Sequence, residues 1–252
     1  MTPAWIEGTV AGQTRWTGRL LSLRVETPAG APAPVFESGQ FARLALDIDG
    51  ERIARPYSFV NPPGATPLEF YYAIVEEGPL SPRLATLTAG ERVYVAPNPA
   101  GFLVLSEVPD AANLWLFSTG TGIGPFLSIL RTETPWKRFR RVVLVHAARH
   151  PAELVYGDVL EAVAQAHPEQ FVHVRITSRE PVDNALQGRI PGLVADGSLE
   201  ARTGCELSAA SAQVMLCGNP DMVKDTTAEL ALRGMKKHRR RSPGHITVEN
   251  YW

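Results

Sequence analysis

Cysteine is scarce: Cys205 and Cys217 are the two in 252 residues. Two thiols exclude a disulfide framework, and also a zinc or iron–sulfur site held by four thiolates. A chain this poor in cysteine suits a reducing cytoplasm. No apolar run approaches the roughly 18 to 20 residues that a membrane span needs. The opening residues, Met1 to Gly8, lack a basic stretch followed by an apolar one, so no secretory signal is expected there. Net charge is also nearly absent, at −1, which argues against nucleic-acid binding. What remains is ordinary for a folded chain of one or two domains, with 44% hydrophobic and 20% charged residues.

The average hides two different halves. Residues 1–110 contain no lysine, eight arginines and twelve acids, a balance of −4, whereas residues 111–252 hold 17 basic and 14 acidic residues, a balance of +3. A basic second half suggests an anionic ligand or an acidic partner. Proline divides in the same way, with 13 of 21 before Asp110. The first half reads as short strands over Trp16–Glu26, Phe41–Ile48, Arg52–Val60, Leu68–Val75 and Arg92–Ala96. Turns at Asp49-Gly50, Pro62-Pro63-Gly64 and Ala89-Gly90 separate them, the pattern of an antiparallel barrel or sandwich. Ser81-Pro82 predicts a short helix within Ser81–Leu87.

After Glu107-Val108-Pro109-Asp110, strand-length apolar runs alternate with helix-length segments. Leu114–Phe117 precedes Pro125–Arg131, Val142–Val145 precedes Val155–Ala166, and Phe171–Ile176 precedes Ile190–Ala195. Val214–Cys217 then leads into Asp221–Arg233, and Ile246–Val248 follows. This predicts βαβ units on a parallel sheet covered on both faces. The expected organisation is a β-barrel domain over 1–107 and an α/β domain over 108–252.

Ser118-Thr-Gly-Thr-Gly-Ile-Gly-Pro-Phe126 joins the first strand of the second half to a helix, where free backbone N–H groups and the helix dipole favour phosphate. Pro125 stands where a Gly-x-Gly-x-x-Gly fingerprint would place its third glycine, so a standard dinucleotide fingerprint is not met. The second strand runs into His146-Ala-Ala-Arg149 with no acid to bond a ribose 2′-hydroxyl. The third ends Thr177-Ser178-Arg179, and Arg189 follows a glycine. Any one arginine reads as solvated surface, but three at strand ends favour a 2′-phosphate, hence NADP(H) over NAD(H).

Five motifs occur in a fixed order: Arg55-Pro56-Tyr57-Ser58, Gly78-Pro79-Leu80-Ser81, Thr119-Gly-Thr121-Gly-Ile-Gly-Pro125, Cys217-Gly218-Asn219-Pro220, and a terminal Val248-Glu249-Asn-Tyr251-Trp252. In this the sequence resembles the ferredoxin–NADP(+) reductases, bacterial flavodoxin/ferredoxin–NADP reductases above all, over nearly its whole length. The resemblance implies an FAD-binding antiparallel β-barrel domain followed by an NADP-binding α/β domain. It implies FAD contacts from Arg55 (pyrophosphate), Pro56, Tyr57 (flavin ring), Ser58 (near flavin N5), the strand Tyr72-Ala73-Ile74, the turn Pro79-Leu80-Ser81, and Thr121. Arg149, Ser178, Arg179 and Arg189 would read the 2′-phosphate, beside Ala148, Gly218 and Asn219. Cys217 would lie against the nicotinamide. Tyr251 would cover the flavin, two residues after the acid Glu249, and Trp252 would be an added partner for the cofactor. Ser58, Cys217, Glu249 and Tyr251 form the implied catalytic set.

The activity implied is electron exchange between NADP(H) and ferredoxin or flavodoxin by a monomeric, cytoplasmic enzyme. A flavin reductase, the reductase component of an oxygenase and a non-catalytic redox sensor are the alternatives. No metal is expected, because His146 and His150 straddle a strand end with no third ligand. Lys236-Lys-His-Arg-Arg-Arg241 reads either as solvated surface or as a surface steering an acidic partner, together with Lys137, Arg138, Arg140 and Arg141.

Overall fold

The computed structural model describes residues 5–30 and 33–249. The first lobe is built from β1 (Ile6–Arg15), β2 (Leu20–Glu26), β3 (Phe41–Ile48), β4 (Glu51–Ser58), β5 (Leu68–Ala73) and β6 (Arg92–Val95). They form one antiparallel sheet in the order β4-β3-β6-β1-β2-β5. Its two outer strands meet where Phe59 bridges Phe70 and Val60 N–H donates to Glu69 O at 2.9 Å, which curls the sheet into a barrel. Inward residues such as Leu21, Leu23, Leu44, Phe70 and Val93 fill it. The short helix α1 (Ser81–Leu84) plugs one end with Leu80 and Leu84.

β1 is the element that the sequence pattern missed. Its inward positions include Ile6, Gly8 and Val10, and the glycine hides the alternation. A β-carbon on Gly8 would lie 2.6 Å from Val25 Cγ1, so close packing of β1 on β2 requires the gap. The expected strand Trp16–Glu26 starts later, at Leu20. Trp16 and Thr17 accept no place in the ladder because their N–H groups close the hairpin onto Leu20 O. The expected helix over Ser81–Leu87 is a single turn ending at Leu84.

The second lobe carries β7 (Asn113–Thr119), α2 (Gly124–Leu130), α3 (Thr134–Arg138), β8 (Arg141–Ala148), α4 (Gly157–Ala166), β9 (Phe171–Thr177), β10 (Ala185–Gln187), α5 (Ile190–Ala195), α6 (Ser198–Thr203), β11 (Ala212–Cys217), α7 (Pro220–Leu232) and β12 (Ile246–Glu249). Its parallel sheet runs β10-β9-β8-β7-β11-β12. Helices α2 and α4 cover one face, and α5 to α7 the other. Leu20, Val60 and Tyr71 of the barrel share a core cluster with Leu116, Phe126 and Leu144, so the lobes are joined by apolar packing. Burying each such side chain contributes on the order of 1.5–3 kcal/mol.

One group in this core is out of character. Alternation along β8 puts His146 on the face of Val142 and Leu144, where both ring nitrogens are buried without a partner. The His173 ring lies 6.1 Å away. Burial, with His173 adding to it, holds His146 down to about 3, and burial also lowers His173 to about 4. The unfolded chain takes up protons near 6.5 that the folded chain refuses, so stability falls as pH drops through that window. His146→Phe is expected to lose less melting temperature than the parent chain between about pH 7 and about pH 5, as followed by thermal unfolding.

Candidate functional site

Strand order reverses between β7 and β11, since β7 is followed by β8 on one side and β11 by β12 on the other. A crevice opens beyond the carboxyl ends of strands at such a point. The two turns leaving these strands interlock. A β-carbon on Gly122 would lie 2.4 Å from Cys217 O, and one on Gly218, at φ +136°, would lie 2.2 Å from Thr119 Oγ1. Thr119 Oγ1 accepts the Asn219 N–H at 2.8 Å. Asn219 Oδ1 accepts the N–H groups of Asp221 and Met222 at 2.9 and 3.2 Å, capping α7.

Over this floor, a cavity of about 990 Å³ separates the lobes. That is near the top of the range of roughly 300–1,000 Å³ usual for ligand sites. The barrel wall presents Arg55, Pro56, Tyr57 and Ser58 from the end of β4, Tyr72 and Ala73 from β5, and Pro79, Leu80 and Ser81 from the turn before α1. Tyr57 meets Tyr72 edge to face, centroids 5.8 Å apart. The Tyr72 hydroxyl donates to Gln13 Oε1 at 2.8 Å, which fixes its ring. Burial raises the pKa of both phenols, so they remain neutral. Ser81 Oγ accepts the Val75 N–H at 2.9 Å and closes the turn.

The opposite wall carries Thr121, Ala148 and Arg149, Ser178 and Arg179, Arg189, Gly218 and Asn219. Backbone bonds continue the sheet past its strands here, from Ser178 N–H to Ala148 O at 3.1 Å and from Arg179 N–H to Arg149 O at 2.9 Å. Among the described residues no carboxylate pairs with Arg149, Arg179 or Arg189. Three guanidinium groups gather at one wall of the cavity.

Three expected residues do not line the cavity. Ile74 packs toward the barrel, and its N–H and C=O are both engaged by Arg19. Cys217 is fully buried in the cluster between the lobes, whereas the two residues after it reach the cavity wall. Glu249 pairs in register with Cys217 and points at the barrel segment Gly101–Leu103. Tyr251 and Trp252 lie outside the described residues. No group of three metal-ligating side chains occurs among the described residues, and no helix there is long and apolar enough to cross a membrane.

The sequence reading overlooked Arg19, Tyr71, Glu153, Asp221 and Asp225, all on the wall. Tyr71 had a legible signal, since it precedes Tyr72 and so faces the other side of β5. Its hydroxyl is buried without a partner.

A model of an oxidoreductase NAD-binding domain matches residues 116–228. The chain is 46% identical over 249 residues to a flavodoxin/ferredoxin–NADP reductase of Escherichia coli, covering 98% of this chain and 99% of that one. It is 33% identical over 243 residues to a ferredoxin–NADP reductase of Pseudomonas aeruginosa, covering 93% and 92%. A crystal structure of a ferredoxin NADP+ reductase from Neisseria gonorrhoeae, with bound FAD and NADP, superposes with a TM-score of 0.93 at 33% identity, over 99% of this chain and 100% of that one.

Glu249 gives the site a pH signature. Burial pushes its carboxyl up to about 7, against the backbone N–H groups of Leu103 and Phe102, which pull it down. One oxygen, Oε2, has no partner among the described residues. The folded chain thus keeps a proton that the unfolded chain releases near 4.5, and stability falls as pH rises from there through about 7. Glu249→Gln imitates the protonated form, and its melting temperature is expected to decline less than that of the parent chain between about pH 5 and about pH 8.

Proposed function

The chain belongs to the flavodoxin/ferredoxin–NADP reductase family, and from that premise we propose that it exchanges electrons between NADP(H) and a ferredoxin or flavodoxin through bound FAD. The observation that carries this reading is the interlobe cavity, aromatic on its barrel wall and lined opposite by three arginines that no carboxylate pairs among the described residues. In this reading residues 1–107 form the FAD-binding domain and 108–252 the NADP(H)-binding domain. One chain supplies both walls, which supports a monomer, and the scarcity of cysteine supports the cytoplasm.

The residues present fit both groups. Tyr57 and Tyr72 give the cavity an aromatic wall with polar tips, and Tyr71 lines it as well. Bound there, FAD would supply acceptance of two electrons from NADPH and their release one at a time. Tyr57, Pro56, Tyr72 and Ala73 would hold the flavin, with Ile74 bracing that wall from the barrel side, and Arg55 with Pro79, Leu80 and Ser81 would hold its pyrophosphate. Across the cavity, Arg149, Arg179 and Arg189 with Ser178 would grip the 2′-phosphate through charge-assisted bonds. Ala148, Gly218 and Asn219 would face the rest of the dinucleotide, with Thr121 between the two groups.

Within the site, the buried Ser58 hydroxyl would orient the reacting edge of the flavin. Glu249 is divided between protonated and ionised forms near pH 7 and would hold or release a proton behind Cys217. Cys217, buried beneath Gly218 and Asn219, would support the turn that faces the nicotinamide, and Tyr251 with Trp252 would cover the site and exclude water. For the protein partner, the exposed loop Lys236–Arg241 between α7 and β12 would steer an acidic surface. Arg240 is anchored there by Glu107 at 2.7 Å, and its guanidinium sits 4.8 Å above the Phe102 ring.

The purified protein is expected to be yellow, to bleach with NADPH, and then to reduce a ferredoxin or flavodoxin. A colourless protein that gains no flavin on reconstitution would overturn the assignment. Charge reversal at Arg179 or Arg189 is expected to lower the NADPH-to-NADH ratio of kcat/KM by roughly tenfold or more, the size of one charge-assisted bond.

A further inference from the structure

Beside the cavity, a chain of hydrogen bonds, buried at its middle link, crosses from one lobe to the other. Trp16 Nε1–H donates to Ser22 Oγ at 2.7 Å, Ser22 Oγ lies 2.5 Å from the Tyr156 hydroxyl, and that hydroxyl donates to Glu69 Oε1 at 2.9 Å. Both ends fix the direction, because an indole only donates and a carboxylate only accepts. Ser22 therefore accepts from Trp16 and donates to Tyr156, which donates to Glu69. Trp16, Ser22 and Glu69 belong to the barrel, and Tyr156 to the parallel-sheet lobe.

Tyr156 is 5% exposed, with its ring edge-on to Tyr71 at 5.3 Å and tilted against Trp16 at 5.0 Å. Its backbone is left-handed, φ 64° and ψ 27°, a conformation unfavourable for a bulky residue. The contacts of its side chain must offset a backbone cost that glycine would escape. Tyr156 also opens α4 and ends the loop that leaves β8 at Arg149. That loop is braced internally, since Glu153 Oε2 accepts the N–H groups of Arg149 and His150 at 2.9 and 3.3 Å. Pinning Tyr156 to the barrel thus sets where Arg149 and Glu153 stand relative to the opposite wall.

We infer that Tyr156 is a positioning residue whose hydroxyl clasps the two lobes at the separation where the NADP(H) wall faces the flavin wall. The inference rests on the function proposed above. A second strap survives its loss, because Ser128 Oγ donates to Asn61 O at 2.8 Å and Arg131 donates to Val60 O at 3.4 Å. Tyr156→Phe keeps the ring and removes the clasp.

In stopped-flow measurements on the flavin-loaded protein, Tyr156→Phe is expected to slow bleaching at saturating NADPH on the order of 10- to 100-fold, the effect of misplacing reactants by about an ångström. Adenosine 2′,5′-bisphosphate, which needs only one lobe, is expected to bind with unchanged affinity. Ser22→Ala breaks the same chain from the barrel side and is expected to slow bleaching as well, with the double variant no slower than the worse single one. Parent-like bleaching at saturation in both single variants, or losses that simply multiply in the double variant, would overturn the clasp, even with a lowered melting temperature. If the parent chain itself does not bleach with NADPH, the functional reading fails, and calorimetry on the intact chain decides the clasp. One unfolding transition splitting into two in Tyr156→Phe would support it, and an unsplit transition would refute it.

Discussion

Two turns packed too closely to admit a β-carbon hold the rest of the site in place. Gly122 and Gly218 each press against the other turn's backbone or hydroxyl, so the exits of β7 and β11 form one rigid floor. The sequence of this floor departs from the usual dinucleotide fingerprint for a visible reason. Its second close approach is made by Gly218, far away in the chain, and α2 carries Pro125 in its first turn, where the missing N–H costs nothing. Because Asn219 spends its side chain capping α7, what this turn presents to a ligand is main chain.

The floor is only as useful as its alignment with the barrel, which depends on the shared core of Leu20, Val60, Tyr71, Phe126 and their neighbours. Apolar packing of this kind is strong but not directional. Direction comes from the polar contacts at its margins: the chain through Tyr156, and the bonds that α2 makes to the carbonyls of Val60 and Asn61. Gly124 contributes by proximity, since a β-carbon there would touch Ser58 and Val60 at 3.7 Å. The end of β4, which lines the barrel side of the cavity, is thereby seated on the helix that rises from the floor.

Most of this architecture was legible because each half obeys one pattern strictly. The interior strands β7, β8 and β11 carry unbroken apolar runs, as both faces are covered, and the arginines follow the ends of β8, β9 and β10 within two residues. The first strand was not legible, since Gly8 replaces an inward apolar side chain to let β2 come close. Helices α3 and α6 and strand β10 span five, six and three residues, too short to show a period. Within the site, motif residues carried the walls, but Cys217 gave no sign that it would be covered by its neighbours. Nor did Tyr71 and Tyr156 show that they would meet edge to face, because contacts across a lobe boundary leave no trace in local spacing.

Buried polar atoms without partners sort by where they lie, and the sorting separates cost from use. His146 sits within the sheet lobe, where nothing can reach its ring nitrogens, so its polarity is a standing penalty that grows with acid. Tyr71 lines the cavity and Glu249 stands next to Cys217 behind it, each with an oxygen unmet by protein. A core that excludes water from such atoms without a ligand to answer them is a poor bargain in folding terms. Among the described residues Tyr71 alone of these lines the crevice, so its oxygen is the one placed for a ligand in the cavity to meet.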